Sequence, residues 1–140
     1  MKTDLDIKNL VTAAIVRHAM HMDQWTGTRL ADAGDPHQVL AKITLAPAEL
    51  PILSSRCADD AWTVLSTRRA WSCHGGKIDS IALTDLSHVE TGAFKGPGET
   101  ALMHLRTNHG ERLLCPYQSG FASMGVVSGV NTLRGLLSMQ

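Results

Sequence analysis

Histidine and cysteine are the residues of this chain whose types could support chemistry, and seven histidines are many for 140 residues. His18 and His21 have the spacing that brings two imidazoles near one face of a helix, and Asp23 lies close by. Such a set could hold a metal ion. However, no glutamate of the HExxH type accompanies them, and no third ligand follows at a recognisable spacing. We therefore favour one packed and one solvated histidine over a metal site.

Three later histidines could meet on a single sheet. His88, His104 and His109 all fall in or beside segments with strand-like sequence. A cluster of imidazoles there could bind a metal or respond to pH. The alternative is that these histidines are scattered over the surface.

The cysteines indicate reduced thiols rather than disulfides or catalysis. Cys57, Cys73 and Cys115 are odd in number and show no CxxC spacing, which is typical of buried thiols in a cytosolic protein. His74 follows Cys73, but neighbours in a strand point to opposite faces, which argues against a nucleophile–base pair. No GxSxG, P-loop or GxGxxG motif occurs in a suitable context. We predict that the protein is not an enzyme and needs no cofactor.

The composition is that of one globular domain without net charge. Hydrophobic residues make up 44% of the chain and aromatic residues only 4%, so aliphatic side chains and methionine must fill the core. Thirteen basic and thirteen acidic residues cancel, which disfavours a dedicated nucleic-acid or anionic-membrane binder. The start lacks an apolar signal-peptide core, and no run approaches the ~20 apolar residues of a membrane span. We therefore expect a cytoplasmic protein.

The first third of the chain is predicted to be helical. Thr3 caps a helix over residues 4–25, with Asp6 as the acid of a capping box, and residues 30–33 could continue it past a kink. An apolar stripe at spacings of three or four follows one face of this helix. The stripe consists of Ile7, Val11, Ala14, His18, Met22 and Trp25. It requires a partner surface, either on the rest of the domain or on a second copy of the chain.

A connector follows this helix. Asp35 starts a short segment with helix-start signals, within which residues 40–45 could be helix or strand. Pro47 ends any regular helix there. We divide the chain into an N-terminal helical segment, residues 1–45, and a main domain, residues 46–140.

The sequence pattern of the remaining two thirds of the chain predicts seven strands followed by a C-terminal helix. Short apolar runs alternate with turn residues about every ten positions, which is typical of a sandwich or barrel. The predicted strands are 52–57, 61–66, 69–74, 77–83, 87–92, 100–107 and 111–117. Gly75 and Gly76 form a two-residue hairpin turn. After Gly120 an apolar stripe indicates a helix, whose glycines at 125 and 129 would let it lie close to the sheet.

Seven strands followed by one amphipathic helix resembles the order of a pleckstrin-homology-like (PH-like) domain. Residues 62–71, with sequence WTVLSTRRAW, are similar to the second-to-third strand signature of bacterial PH-like and GRAM-like domains. Residues 76–89 resemble the stretch that joins the fourth and fifth strands, and residues 107–111 resemble the last hairpin. The resemblance covers about residues 52–138. It implies an α+β, mainly β fold: a seven-stranded sandwich or barrel of two roughly orthogonal sheets, capped by the C-terminal helix.

The family resemblance suggests three uses: phosphoinositide binding, peptide binding and assembly with a protein. Lipid binding normally uses basic residues around the loop between the first two strands. Here that loop, residues 57–61, is acidic and only Arg56 precedes it, which argues against phosphoinositides.

The densest basic pair is Arg68 and Arg69 in the turn between the second and third strands. We expect a solvated turn or salt bridges from this pair to Asp59 and Asp60. The alternative is an anionic contact point, which Lys77 could join if the fold brings it near.

Peptide binding would use the edge of the fifth strand and the groove beside the last helix. The candidate residues are Ser87, Val89 and Thr91 on the strand, with Met124 and Ser128 on the helix. We expect a non-enzymatic module that mediates protein–protein interaction or self-association. The alternatives are a protein that binds lipid or another anionic small ligand, and an immunity or adaptor protein for one specific partner.

Overall fold

The computed structural model describes residues 2–19, 21–35, 38–91 and 100–138. Within these ranges the chain is α+β and mostly β, with two antiparallel sheets and a helix near each end. The five-stranded sheet has the order β1-β2-β3-β4-β5, and the three-stranded sheet has the order β6-β7-β8. The helices are α1, Asp4–His18, and α2, Ser123–Ser138. The strands are β1 Thr28–Leu30, β2 Pro51–Arg56, β3 Trp62–Ser66, β4 Arg69–His74, β5 Lys77–Ala82, β6 Leu86–Glu90, β7 Thr100–Thr107 and β8 Arg112–Gln118.

The seven predicted strands are present as β2 to β8, with ends that shift by one or two residues. Gly92, the predicted end of the fifth, lies outside the described residues. Gly75 and Gly76 both have positive φ angles, 63° and 80°, and form the tight turn between β4 and β5. Side chains with a Cβ rarely adopt this backbone conformation, so glycine is favoured at both positions.

The N-terminal third departs from its prediction. The predicted capping box is present, since Thr3 Oγ1 accepts from Asp6 N at 3.1 Å and the Asp6 carboxylate accepts from Thr3 N. However, α1 ends at His18 rather than at residue 25. The backbone at His21 is left-handed, with φ 51°, so the helix cannot continue. The chain then forms β1, which pairs with the edge of β2. Of the helical continuation expected at residues 30–33, only a single 3-10 turn is present, Ala31–Ala33.

The connector between β1 and β2 follows the helical alternative rather than the strand, in a shortened form. Residues 40–45 contain one short turn, Leu40–Lys42, and no strand. The Asp35 carboxylate accepts hydrogen bonds from the backbone N–H groups of Val39 and Leu40, so it caps this turn and satisfies the donors that a longer helix would use.

The main core lies between the two sheets and both helices. It includes Ile15 of α1, Leu65 of β3, Met103 of β7 and Val130 of α2, all of which have no exposed surface. The stripe of α1 therefore packs against the strands and α2 of the same chain.

A second apolar cluster lies on the other face of the five-stranded sheet. Trp62, Val64 and Trp71 project from β3 and β4 there, and Val39 of the connector is buried against them. All five residues of β3 are buried as a result. The sequence left open which face of β3 is the core face, and the structure buries both.

The close approach of α2 depends on its glycines. A Cβ at Gly125 would lie 2.7 Å from the Trp25 ring, and one at Gly129 would lie 3.0 Å from Leu65 Cδ1 and 3.3 Å from Ile15 Cδ1. The expectation that these glycines let the helix lie close to the sheet is confirmed for Gly129, and Gly125 makes the same close contact with the Trp25 segment.

Replacing Gly125 by alanine should therefore destabilise the fold by about 1–2 kcal/mol, because the added methyl overlaps a rigid indole ring. The steric cost of the methyl group exceeds the gain of about 1 kcal/mol that alanine brings in helix propensity. The matched control is Gly135→Ala in the same helix, where an added Cβ meets no atom within 4 Å. It should stabilise the fold by up to about 1 kcal/mol. Urea unfolding measures both, and equal effects of the two substitutions would contradict the packing argument.

Candidate binding surface

The four basic residues predicted as anion contacts each form an ion pair within the chain. Arg56 pairs with Asp60 at 2.6 Å and Arg68 pairs with Asp4 at 2.9 Å. Arg69 pairs with Glu49 at 2.5 Å, and Lys77 lies 3.6 Å from Asp79. Since each cation has a carboxylate beside it, these residues do not form a shared anion site.

The partners of the basic pair differ from those expected. Asp60 pairs with Arg56, not with Arg68 or Arg69. The side chain of Asp59 lies outside what the structure describes. The observed partners of Arg68 and Arg69 come from α1 and from the connector, which the fold places beside the β3–β4 turn.

Glu49 fixes the connector to the sheet. Its side chain has no exposed surface. It accepts hydrogen bonds from the Arg69 guanidinium, from Ser66 Oγ and from Ala46 N. Burial raises the pKa of Glu49, but the bonds from Arg69, Ser66 and Ala46 outweigh burial, and the net pKa lies below the ordinary value. The Arg69 guanidinium also stacks over the Trp71 ring at 4.0 Å, so this arginine has a structural role.

Asp4 fixes the start of α1 to the same turn. The Arg68 guanidinium donates to both carboxylate oxygens, at 3.0 and 2.9 Å, and Thr67 Oγ1 donates at 2.5 Å. The Arg68 hydrogen bond is the main reason that the pKa of Asp4 lies below its ordinary value.

The predicted peptide groove is not assembled from its five residues. Ser87 contacts α2 through its carbonyl, which accepts from Arg134, whereas Ser128 Oγ points to the Ala14 carbonyl of α1. The other three predicted residues each contact parts of the same chain or are partly buried in it. Val89 packs partly against the main core, Thr91 accepts a hydrogen bond from the Tyr117 hydroxyl at its carbonyl, and Met124 is half-buried.

The exposed face of the three-stranded sheet carries the most distinctive group of side chains. We define the basic face as His88, Glu90, His104, Arg106, Arg112 and Leu114, which line an open concavity of about 400 Å³. Burial alternates strictly along β7, so His104 and Arg106 point away from the core while Met103 and Leu105 point into it.

The strand register arranges the basic face in two rows. One row crosses the sheet through His88, Arg106 and Arg112, and the next row crosses through Glu90, His104 and Leu114. His88 Nε2 lies 3.9 Å from the Glu90 carboxylate. Within the residues that the structure describes, no carboxylate forms an ion pair with Arg106 or Arg112. Arg106 and Arg112 therefore occupy directly opposite positions on adjacent strands, and neither has an ion-pair partner in the part of the chain that the structure describes.

The prediction of site residues missed Arg106 and Arg112, although the sequence contained a signal for them. The predicted turn at residues 108–110 is present between β7 and β8. A hairpin turn fixes register, and a short turn at that place sets Arg106 opposite Arg112. The prediction concentrated on consecutive basic residues and did not consider cross-strand pairs.

Only two of the three histidines that were predicted to meet on one sheet do so. His88 and His104 share the basic face, but His109 lies at the hairpin, 3.8 Å from Asp85. His18 is exposed, and His21 stacks against Phe121 with ring centroids 4.4 Å apart. The described ranges contain no group of three or more His, Cys, Asp or Glu side chains that could hold a metal ion.

The cysteines are free thiols, as predicted, and two of the three are buried. Burial raises the pKa of Cys57 to about 11 and that of Cys115 to about 12. Both thiols are therefore protonated at neutral pH, and a protonated thiol is a poor nucleophile. Cys73 is half-buried at the edge of the tryptophan cluster.

No protein-family model matches this chain, and no curated protein matches it either. None of the described helices is long and apolar enough to cross a membrane. The resemblance to PH-like domains therefore rests on the order of the elements and on the sequence patterns alone.

The carboxylates of Asp4 and Glu49 should make stability depend on pH. Both pKa values are lower in the folded chain than their ordinary values of 3.8 and 4.5, so the unfolded chain binds protons first as the pH falls. The stability that these pairs contribute is present at pH 7 and is lost as the pH falls below about 4.5 through the folded pKa values. Urea unfolding at pH 7, 5, 4 and 3 measures this loss.

Glu49→Gln should lower the free energy of unfolding by about 1.5–3 kcal/mol at pH 7, since charge-assisted hydrogen bonds are lost. It should also reduce the drop between pH 7 and pH 3. The control is Glu111→Gln, which alters an exposed side chain in the β7–β8 hairpin. If the free energy of unfolding fell as much between pH 7 and pH 3 in Glu49→Gln as in the unmodified chain, Glu49 would not be a source of the pH dependence.

Proposed function

We propose that this chain is a non-enzymatic binding module of PH-like fold that contacts another protein through the basic face. The observation that carries the proposal is the pair Arg106 and Arg112, which lie opposite each other on adjacent strands, exposed and without a carboxylate partner among the described residues. Arginine is enriched at protein interfaces and among the residues that contribute most to binding energy, and two arginines line this exposed concavity.

The order of elements supports the fold part of this proposal. Four consecutive antiparallel strands, β2 to β5, are followed by three more, β6 to β8, and then by α2. This is the order expected of a PH-like domain, to which the chain adds α1 and β1. Fold alone does not assign function, so the functional part rests on the basic face.

The other predicted uses receive less support. Anionic lipid binding through the loops needs several convergent unpaired cations, whereas Arg56, Arg68, Arg69 and Lys77 are each paired within the chain. An immunity or adaptor role is a special case of protein binding, and the identity of the partner decides it. A cytoplasmic location remains a prediction from the sequence.

The experiment compares proteins that the tagged chain captures from a lysate of its own organism, identified by mass spectrometry. The test variant is Arg106→Glu with Arg112→Glu. The control is Arg17→Glu with Arg29→Glu, two exposed arginines on α1 and β1 that undergo the same change of charge. We expect a partner that the unmodified chain and the control capture in similar amounts and that the test variant loses at least tenfold.

A partner captured equally by all three proteins would overturn the basic face as the contact surface. Bound lipid or a small anion in the purified chain, with no protein captured, would favour the small-ligand alternative instead. Both variants should melt within a few degrees of the unmodified chain, since the four substituted side chains are exposed.

A further inference from the structure

We infer that the basic face recognises an extended acidic segment of the partner protein, whose carboxylates bind between Arg106 and Arg112. This inference rests on the proposed function and names the chemistry of the partner. It follows from how charges are distributed over the two rows of the face.

The row of His88, Arg106 and Arg112, called the arginine row below, has an unfavourable arrangement of charge in the isolated chain. Arg106 and Arg112 are directly opposite each other on β7 and β8, and adjacent strands lie about 4.8 Å apart. Like charges in that position destabilise a sheet. Unlike Arg56, Arg68, Arg69 and Lys77, neither arginine has a carboxylate within ion-pair distance among the described residues, and the register places the two cations directly opposite each other. A carboxylate between the guanidinium groups would remove the repulsion and accept forked hydrogen bonds from both.

The row also continues beyond the arginines. His88 is opposite Arg106 on the other side, so three nitrogen-bearing side chains stand side by side across the sheet. Their span is roughly 10 Å for three adjacent strands. Apolar surface of Leu114 borders the row and offers contact to the aliphatic part of a glutamate or to a neighbouring apolar residue.

Glu90 favours a protein segment over a phosphate-rich surface. It is opposite His104 in the next row, two residues along the strands, so the rows are about 7 Å apart. A membrane of anionic headgroups would place negative charge against both rows, and Glu90 would repel it. In an extended segment the side chains on one face recur every two residues, about 7 Å apart, so a segment with carboxylates at every fourth position can set a carboxylate on the arginine row and a neutral side chain beside Glu90.

The test measures fluorescence anisotropy of a labelled ten-residue peptide with Glu at every fourth position and Ser elsewhere, at low and at physiological salt. The comparison peptide has Gln in place of each Glu. The acidic peptide should bind the unmodified chain at least roughly tenfold more tightly than the neutral one. Arg106→Gln with Arg112→Gln should reduce its affinity by at least roughly tenfold, and the control Arg17→Gln with Arg29→Gln should change it less than about twofold. Glu90→Gln should strengthen binding by roughly two- to fivefold, because a repulsive carboxylate is removed.

A second measurement separates loss of binding from loss of folding. Removing one of two like charges should leave the melting temperature of Arg106→Gln unchanged or raise it, while the acidic peptide should raise the melting temperature of the unmodified chain only. Equal binding of the Glu and Gln peptides, or full binding to the double arginine variant, would overturn the inference. So would binding to vesicles that contain phosphoinositide without binding to the acidic peptide.

Failure of the acidic-segment inference can be distinguished from failure of the proposed function. A cellular partner that is lost with Arg106→Glu and Arg112→Glu, together with no affinity for the acidic peptide, would overturn the acidic segment and leave the binding module in place. If the variant Arg106→Glu with Arg112→Glu captured every partner that the unmodified chain captures, the proposed function itself would be overturned.

Discussion

The fold depends on how closely α2 approaches its neighbours. Gly125 faces the Trp25 ring, and Gly129 faces Leu65 of the sheet and Ile15 of α1, at separations that leave no space for a methyl group. Glycine lowers helix propensity at both positions, so the helix forms because packing outweighs propensity. Through this contact, α1, the segment around Trp25 and both sheets share one apolar core.

The connector completes the burial of β3, in the centre of the five-stranded sheet. Its apolar residues cover the tryptophan-bearing face of β3 and β4, and the buried Glu49 holds it in place through Arg69 and Ser66. A buried carboxylate is tolerated only when hydrogen bonds replace its water, and Glu49 has several. Within the described chain the outward face of the three-stranded sheet carries no such cover, and its concave surface is the one on which the binding proposal rests.

Charge pairing explains why the basic loops and the basic face differ. The chain has no net charge, and the cations near the β2–β3 and β3–β4 turns are used to hold α1, the connector and the turn itself. Arg106 and Arg112 have no such structural task among the described residues. This cross-strand pair of like charges is the observation from which the binding proposal is argued.

The sequence by itself determined the elements whose signals are local. The period-two alternation and the turn residues predicted β2 to β8, the Thr3 and Asp6 pair predicted the start of α1, and the final apolar stripe predicted α2. These features depend on residues a few positions apart, where backbone sterics and side-chain spacing are sufficient.

Only the tertiary structure decided the features that join distant residues. Arg68 meets Asp4 across 64 positions and Arg69 meets Glu49 across 20, and no local pattern encodes either pair. The pairing of β1 follows from the edge of β2, which is available only after the sheet has formed. The same applies to the basic face: a hairpin turn could have suggested Arg106 opposite Arg112, but His88 joins the row because β6 pairs with β7 through a long-range contact that the assembled core positions.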